Sequence, residues 1–183
     1  MPLDLALVHH PVVNRNGETI ASTVDEMDVF DACRLSLVYP VRHLWLVTPV
    51  PAQRALIGRL LTHGRAPARV AEGRGQFEAV SDVATLGDAV AAAEDLHGAA
   101  VTTVATSATP PADRTPLTFA QMRTDLDAGA SMMLLVGKAW GLAPEVLAEA
   151  DAQLEPIRGG NDFDHLPVRA AIAILLDRLL APR

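Results

Sequence analysis

The chain has 183 residues, half of them apolar, with one cysteine and a formal net charge of -7. That is enough for one ordinary domain with its own core and no covalent staples. No apolar run reaches the roughly 18 residues of a membrane helix. The lone Cys33 excludes a disulfide within one chain or a cysteine-based zinc site, and the acidic balance argues against broad, nonspecific nucleic-acid binding while leaving room for a local basic patch. The start, Met1-Pro2-Leu3-Asp4, carries an acid and no cationic segment, so it does not read as a secretory signal. A reducing cytoplasm is the compartment expected.

Along the chain, strand-length apolar runs alternate with helix-period segments. Leu3 to Val8 reads as a first strand and His43 to Thr48 as a second, with a shorter one near Phe77 to Val80, then Ala99 to Ala105 and Met132 to Val136. Continuous apolar runs, rather than in-out alternation, predict a parallel sheet covered on both faces. Between them lie helix start signals. Thr23-Val24-Asp25-Glu26 reads as a capping box opening a helix to about Val38. Pro51 suits the first turn of a helix to about His63. Thr85 begins an alanine-rich helix to about Leu96, and Thr118-Phe119-Ala120-Gln121 opens one ending near Gly129. Two more are expected over Pro144 to Ala150 and Leu166 to Leu180. The β-α-β rhythm gives an open α/β fold in a single domain, 1–183.

The last helix carries one stripe at helical spacing, Val168, Ile172, Leu175, Leu176 and Leu179, with Ile174 and Leu180 off it. Either it packs deep in its own domain, or it lies between the sheet and another subunit.

The C-terminal third carries an ordered set of motifs. Leu134 to Leu142 reads LLVGKAWGL, Leu154 to Gly159 reads LEPIRG, and Phe163 to Ala170 reads FDHLPVRA. With Ala6 to Glu18 (ALVHHPVVNRNGE) and Val104 to Ala108 (VATSA), these resemble a bacterial family of SPOUT-class, S-adenosylmethionine (SAM)-dependent RNA methyltransferases, whose usual forms are like FGTGWGL, LEPI-G and YNHLSVRSA. The resemblance spans nearly the whole chain. It implies an open, mostly parallel sheet with helices on both faces and a C-terminal deep trefoil knot, the α/β-knot fold. It also implies a homodimer and SAM held among three loops at the carboxyl ends of the knot strands, in keeping with the general rule for open α/β sheets.

The first of those loops carries Thr106 and Ser107, whose hydroxyls either bond to a substrate or cap a turn. In the second, Gly137 and Gly141 let backbone approach a ligand closely beside Val136, and Trp140 either walls the adenine pocket or is the buried Trp of a tight strand-to-helix turn. The third combines Glu155, Pro156 and Ile157 with His165, Leu166 and Val168. There backbone groups hold the ligand and apolar side chains cover the ring, as a neutral base in a dry pocket requires.

For positioning the acceptor and removing a proton, the candidates are Asp164, His165 and Arg169. The structural alternatives are Asp164 as the cap of the last helix and Arg169 as its exposed first turn. His9 and His10, ending the first strand, are a poor metal site but within reach of RNA, and no metal is expected. Arg54, Arg59, Arg65, Arg69 and Arg74, with His63, form the one markedly basic stretch, and serve either as an RNA-contact surface or as a solvated face.

The sequence departs from the family at Lys138 and Ala139, where Thr and Gly are usual, and at Asp164, Pro167 and Ala170, in place of Asn, Ser and Ser. Lys138 must reach solvent, pair with an acid such as Glu145 or Glu155, or meet an anion of the substrate, because an unpaired buried ammonium is costly. The function expected is methylation of tRNA or rRNA. The alternative is a non-catalytic SAM- or RNA-binding protein of the same fold. A flavodoxin-like nucleotide binder would need a phosphate-binding turn after the first strand, and His9-His10-Pro11 supplies none.

Overall fold

The computed structural model describes residues 3–65, 77, 79–112, 114–160 and 165–182. Six parallel strands form one sheet: β1 (Leu3–Val8), β4 (Val41–Val47), β5 (Val80–Val83), β6 (Thr102–Ala105), β7 (Met132–Gly137) and β8 (Ala152–Gln153). Their order across the sheet is β5-β4-β1-β7-β6-β8. A two-stranded antiparallel ribbon, β2 (Val12–Val13) with β3 (Thr19–Ile20), follows β1. The helices are α1 (Glu26–Val38), α2 (Pro51–Gly64), α3 (Leu86–His97), α4 (Phe119–Asp127), α5 (Pro144–Glu149) and α6 (Val168–Leu180).

The unbroken apolar runs are explained by two cores. Leu3, Leu5 and Leu7 of β1, Leu44 and Leu46 of β4, and Leu134 and Val136 of β7 point to one face, packed under α1, α2, α4 and α6. Ala6, Val8, Trp45, Val47, Met133 and Leu135 point to the other, where α3 contributes Ala89 and Ala93 and α5 contributes Val146. Successive side chains of a strand alternate faces, so a strand apolar at every position needs cover on both.

The helix starts expected at Thr85 and Thr118 both form, each as a capping box, closed by Asp88 and Gln121. The capping box expected at Thr23 does not form. Asp25 caps α1 instead, accepting from the Met27 N–H at 2.7 Å, and its carboxylate also meets the positive end of the helix dipole. The third strand lies later than Phe77–Val80, because Phe77 is buried in the core against Phe30, ring centroids 5.7 Å apart. The last helix starts at Val168, not Leu166, with Pro167 at its cap position. Asp164, expected as that cap, lies outside the described residues.

The wide apolar surface of α6 finds its partners inside the domain. Ile172, Leu175, Leu176, Leu179 and Leu180 are all buried, and the helix packs against α1, α4 and β7. Arg123 of α4 donates to the carbonyls of Arg178 and Ala181 at its end, both at 3.0 Å.

At the amino end of the sheet Asp4, fully buried, accepts from Arg42 Nε (3.1 Å) and Trp45 Nε1 (3.2 Å) and bonds His97 Nε2 (2.9 Å). One carboxylate thus ties β1, β4 and α3 together. Asp4→Ala leaves Trp45, His97 and Arg42 without their shared acceptor, and should cost about 3–5 kcal/mol of stability; urea unfolding at pH 7 measures it, and a loss below about 1 kcal/mol would contradict the hub.

Candidate cofactor and acceptor site

β7 lies between β1 and β6, so the chain reverses its order across the sheet there, and a crevice opens beyond the carboxyl ends. It holds about 770 Å³ of empty space, part of it open to solvent. Its walls are the three expected loops. Thr106 follows β6, Val136, Gly137, Trp140 and Gly141 end and follow β7, and Glu155, Pro156, Ile157, His165, Leu166 and Val168 lead into α6. Residues 60 positions apart in sequence meet there.

The middle loop is held by main chain. Lys138 N donates to Val8 O (3.0 Å), Trp140 N to Val13 O (3.1 Å), Val13 N to Gly141 O (3.0 Å) and Ala143 N to Pro11 O (3.2 Å). The small ribbon after β1 is therefore the brace of the cleft. Asn14 forms its turn, the Oδ1 accepting from the N–H groups of Asn16 and Glu18, and Gly17 takes φ 80°. A side chain at Gly137 is excluded, since a Cβ there would lie 2.5 Å from Leu142 N and 2.7 Å from Gly141 C.

Several side chains are already engaged. Thr106 Oγ1 donates to Leu135 O (2.8 Å) and Ser107 Oγ accepts from Thr109 N (3.1 Å), so the hydroxyls of the first loop serve its turns. Glu155 Oε1 accepts from Phe119 N at 2.6 Å and fixes the start of α4. Trp140 is not the buried residue of a tight turn; it is 52% exposed at the cleft mouth, with the His165 ring edge-on at 5.1 Å. Arg169 lies in the exposed first turn of α6, with Nη1 3.4 Å from Asp31 of α1.

On the α1 side of the loop, Lys138 pairs with Asp28 in the first turn of that helix. The partner is neither Glu145 nor Glu155. The sequence concealed it because Asp28 lies 110 residues away and is brought in by the packing of α1. His9 stands behind the pair. It is fully buried, which removes it from direct reach of RNA, and among the described residues its ring nitrogens have no well-formed hydrogen bond, only an approach to the Leu7 carbonyl. Burial first, and the Lys138 ammonium second, lower its pKa from 6.5 to about 4, against the opposing pull of the Leu7 carbonyl and the Asp28 carboxylate.

In the basic stretch, Arg54 pairs with Asp82 (2.7 Å) and Arg65 donates to the carbonyls of Phe77 and Val80, while Arg59 is exposed. Arg69 and Arg74 lie outside the described residues. No helix among the described residues is long and apolar enough to cross a membrane.

This fold recurs in solved methyltransferases. A probable methyltransferase of Bordetella pertussis superposes with a TM-score of 0.63 at 16% identity, over 97% of this chain and 94% of that one. The SpoU methyltransferase AviRb of Streptomyces viridochromogenes, solved with AdoMet, gives 0.58 at 14%, over 96% and 56%. The likeness to these structures is one of fold. The family described as SAM-dependent RNA methyltransferase matches residues 2–181, and the chain belongs to that family. A tRNA (guanine-N(1)-)-methyltransferase of Oleidesulfovibrio alaskensis is 35% identical over 178 residues, 96% of this chain; the chain spans 41% of that relative's length.

His9 makes a pH signature. Its ring binds a proton less tightly folded than unfolded, so the unfolded chain carries more protons between about pH 6.5 and 4. Stability is whole above that window and falls as pH drops through it, by about 3 kcal/mol for the full shift. His43, also lowered chiefly by burial, acts in the same direction. Urea midpoints at pH 7 and 4.5 should differ clearly less in His9→Gln than in the unaltered protein; equal differences would show that the His9 ring titrates normally.

Proposed function

We propose that the chain binds SAM in this cleft and transfers its methyl group to an RNA, as a single domain whose C-terminal segment is tied in the family's knot. What supports the reading is one observation: all eleven residues expected to hold the cofactor, from four separate motifs, line the same cleft. The activity for which the Oleidesulfovibrio relative is named favours tRNA over rRNA.

The lining fits such a ligand. Val136, Ile157, Leu166, Val168 and Leu175 offer apolar cover for a neutral purine. Bare backbone at Gly137 and Gly141 allows close approach, and the N–H and C=O groups of the loops recognise the base edge without charge. When bound, SAM supplies a methyl group on a sulfonium. The chain orients it, excludes water from the apolar floor, and meets the acceptor at the mouth. There the exposed Arg169 is a phosphate contact and Trp140 with His165 a surface for stacking an unpaired base. Asp164 belongs to the same segment and is proposed with them.

S-adenosylhomocysteine (SAH), the product of the transfer, should bind with one site per chain and raise the melting temperature, because a ligand of the native state stabilises it by mass action. Gly137→Ala should weaken that binding at least roughly tenfold, or about 1.4 kcal/mol, by pushing the Gly141–Leu142 backbone away. Calorimetry and thermal shift measure both. No heat and no shift at millimolar SAH would end the reading.

A homodimer in the cytoplasm is proposed as its working form. The exposed apolar side chains supporting a pair are Met27, Leu37 and Val38 of α1, with Trp140 and Leu166 at the cleft mouth. Light scattering at micromolar concentration should give twice the chain mass; the single mass would refute the pair.

A further inference from the structure

The described walls of the cleft hold two ionisable side chains, Glu155 and His165. His165 stands exposed at the mouth, edge-on to Trp140. Glu155 is half-buried on the loop that follows β8. Its Oε1 accepts from the Phe119 N–H in the first turn of α4, where the helix dipole favours negative charge. Its Oε2 accepts no hydrogen bond from the described residues, and among them no cation is paired with the carboxylate. Two cations that flank the walls have acids of their own. Lys138, between the lining residues Gly137 and Ala139, joins Asp28, and Arg169, after the lining Val168, joins Asp31. A charged group set in a largely apolar cleft without a counter-charge is costly until a ligand completes it.

Building on the reading that SAM binds here, we infer that Glu155 selects the cofactor by charge, holding the cationic SAM and letting the neutral SAH go. SAM carries an ammonium, a carboxylate and a sulfonium, and so one net positive charge. SAH carries the first two alone and is neutral overall. Purine, ribose and amino-acid tail are common to both. The apolar cover of Val136, Ile157, Leu166 and Val168 and the backbone of the loops therefore serve the two molecules alike, one methyl group aside. The carboxylate does not, because it attracts only the one that carries net positive charge.

Contact between the charges is not required. At the effective dielectric constant of about 20 that suits half-buried pairs, unit charges roughly 10 Å apart still attract enough for about a tenfold preference. The consequence falls on turnover. In the transfer the methyl carbon passes to the acceptor and the electron pair of the S–CH3 bond stays on sulfur. The sulfonium becomes a thioether, and the attraction of Glu155 lapses in the same step that makes SAH the molecule to be expelled. A ribose hydroxyl donating to Oε2 is the rival use of the same oxygen. Both molecules have that ribose, so such a contact would alter both affinities alike.

The test is calorimetry on the full chain with three ligands: SAM, SAH and sinefungin, an unreactive analogue in which a carbon bearing an ammonium replaces the methylated sulfur. The unaltered protein should bind SAM and sinefungin roughly tenfold more tightly than SAH, or about 1.4 kcal/mol. Glu155→Gln loses the charge and keeps an oxygen to accept from the Phe119 N–H, so the start of α4 stays anchored. It should bring the three affinities within about threefold of one another, by weakening the two cations and sparing SAH. Ser107→Lys, which sets a compensating cation on another wall of the cleft, should erase the preference with Glu155 still present; it carries the test if Glu155→Gln does not fold. The inference is overturned, with SAM binding intact, by equal affinities in the unaltered protein or by a preference that survives in Glu155→Gln. It is overturned equally if Glu155→Gln weakens all three ligands alike, which would mark a ribose contact, or changes none of them, which would leave Glu155 as an anchor of α4 only. Absence of binding by all three ligands to the unaltered protein overturns both readings.

Discussion

The cleft depends on four main-chain hydrogen bonds between residues 8–13 and residues 138–143. They continue the β1–β7 pairing past the end of the strands and fold the chain after Gly137 back toward the ribbon. Because they involve backbone groups only, the path of the loop is fixed whatever side chains stand at 138 and 139. The loops after β6 and before α6 then close against a surface that is already shaped. Glu155 joins them to the start of α4, so the third wall is anchored to a helix rather than left to its own chain entropy.

Lys138 brings a cation to a half-buried position on that loop. The fold accommodates it with Asp28, an acid in the first turn of α1, where negative charge is also favoured by the helix dipole. The ion pair joins the loop after β7 to α1.

How much of this was legible follows from range. The sheet was, because runs such as Leu5–Val8 and Met132–Val136 are apolar at every position, as a doubly covered parallel strand requires. The caps at Thr85 and Thr118 were, because both partners lie within three residues. The cleft lining was legible through the motifs together, since no single loop announces itself. The ribbon was not recognised, although Asn14-Arg15-Asn16-Gly17 is a turn signal between two valines and a Thr-Ile pair. Two-residue strands carry too little period to register, and β8 escaped for the same reason. The Lys138–Asp28 pair and the solitary His9 depend on contacts across the whole fold, which spacing along the chain does not encode.

Ala139 sits at φ 54°, in the left-handed region that glycine enters most readily. A β-carbon there costs on the order of 1–2 kcal/mol in the native state, while alanine in place of glycine recovers roughly 0.4–1 kcal/mol by narrowing the unfolded ensemble. The cost is the larger of the two. What changes is where the tension is held: glycine leaves a loop that is relaxed when folded and free when not, and alanine leaves one that is constrained in both states. The mouth of the cleft therefore behaves like a set spring, with the shape it presents to a ligand decided before the ligand arrives.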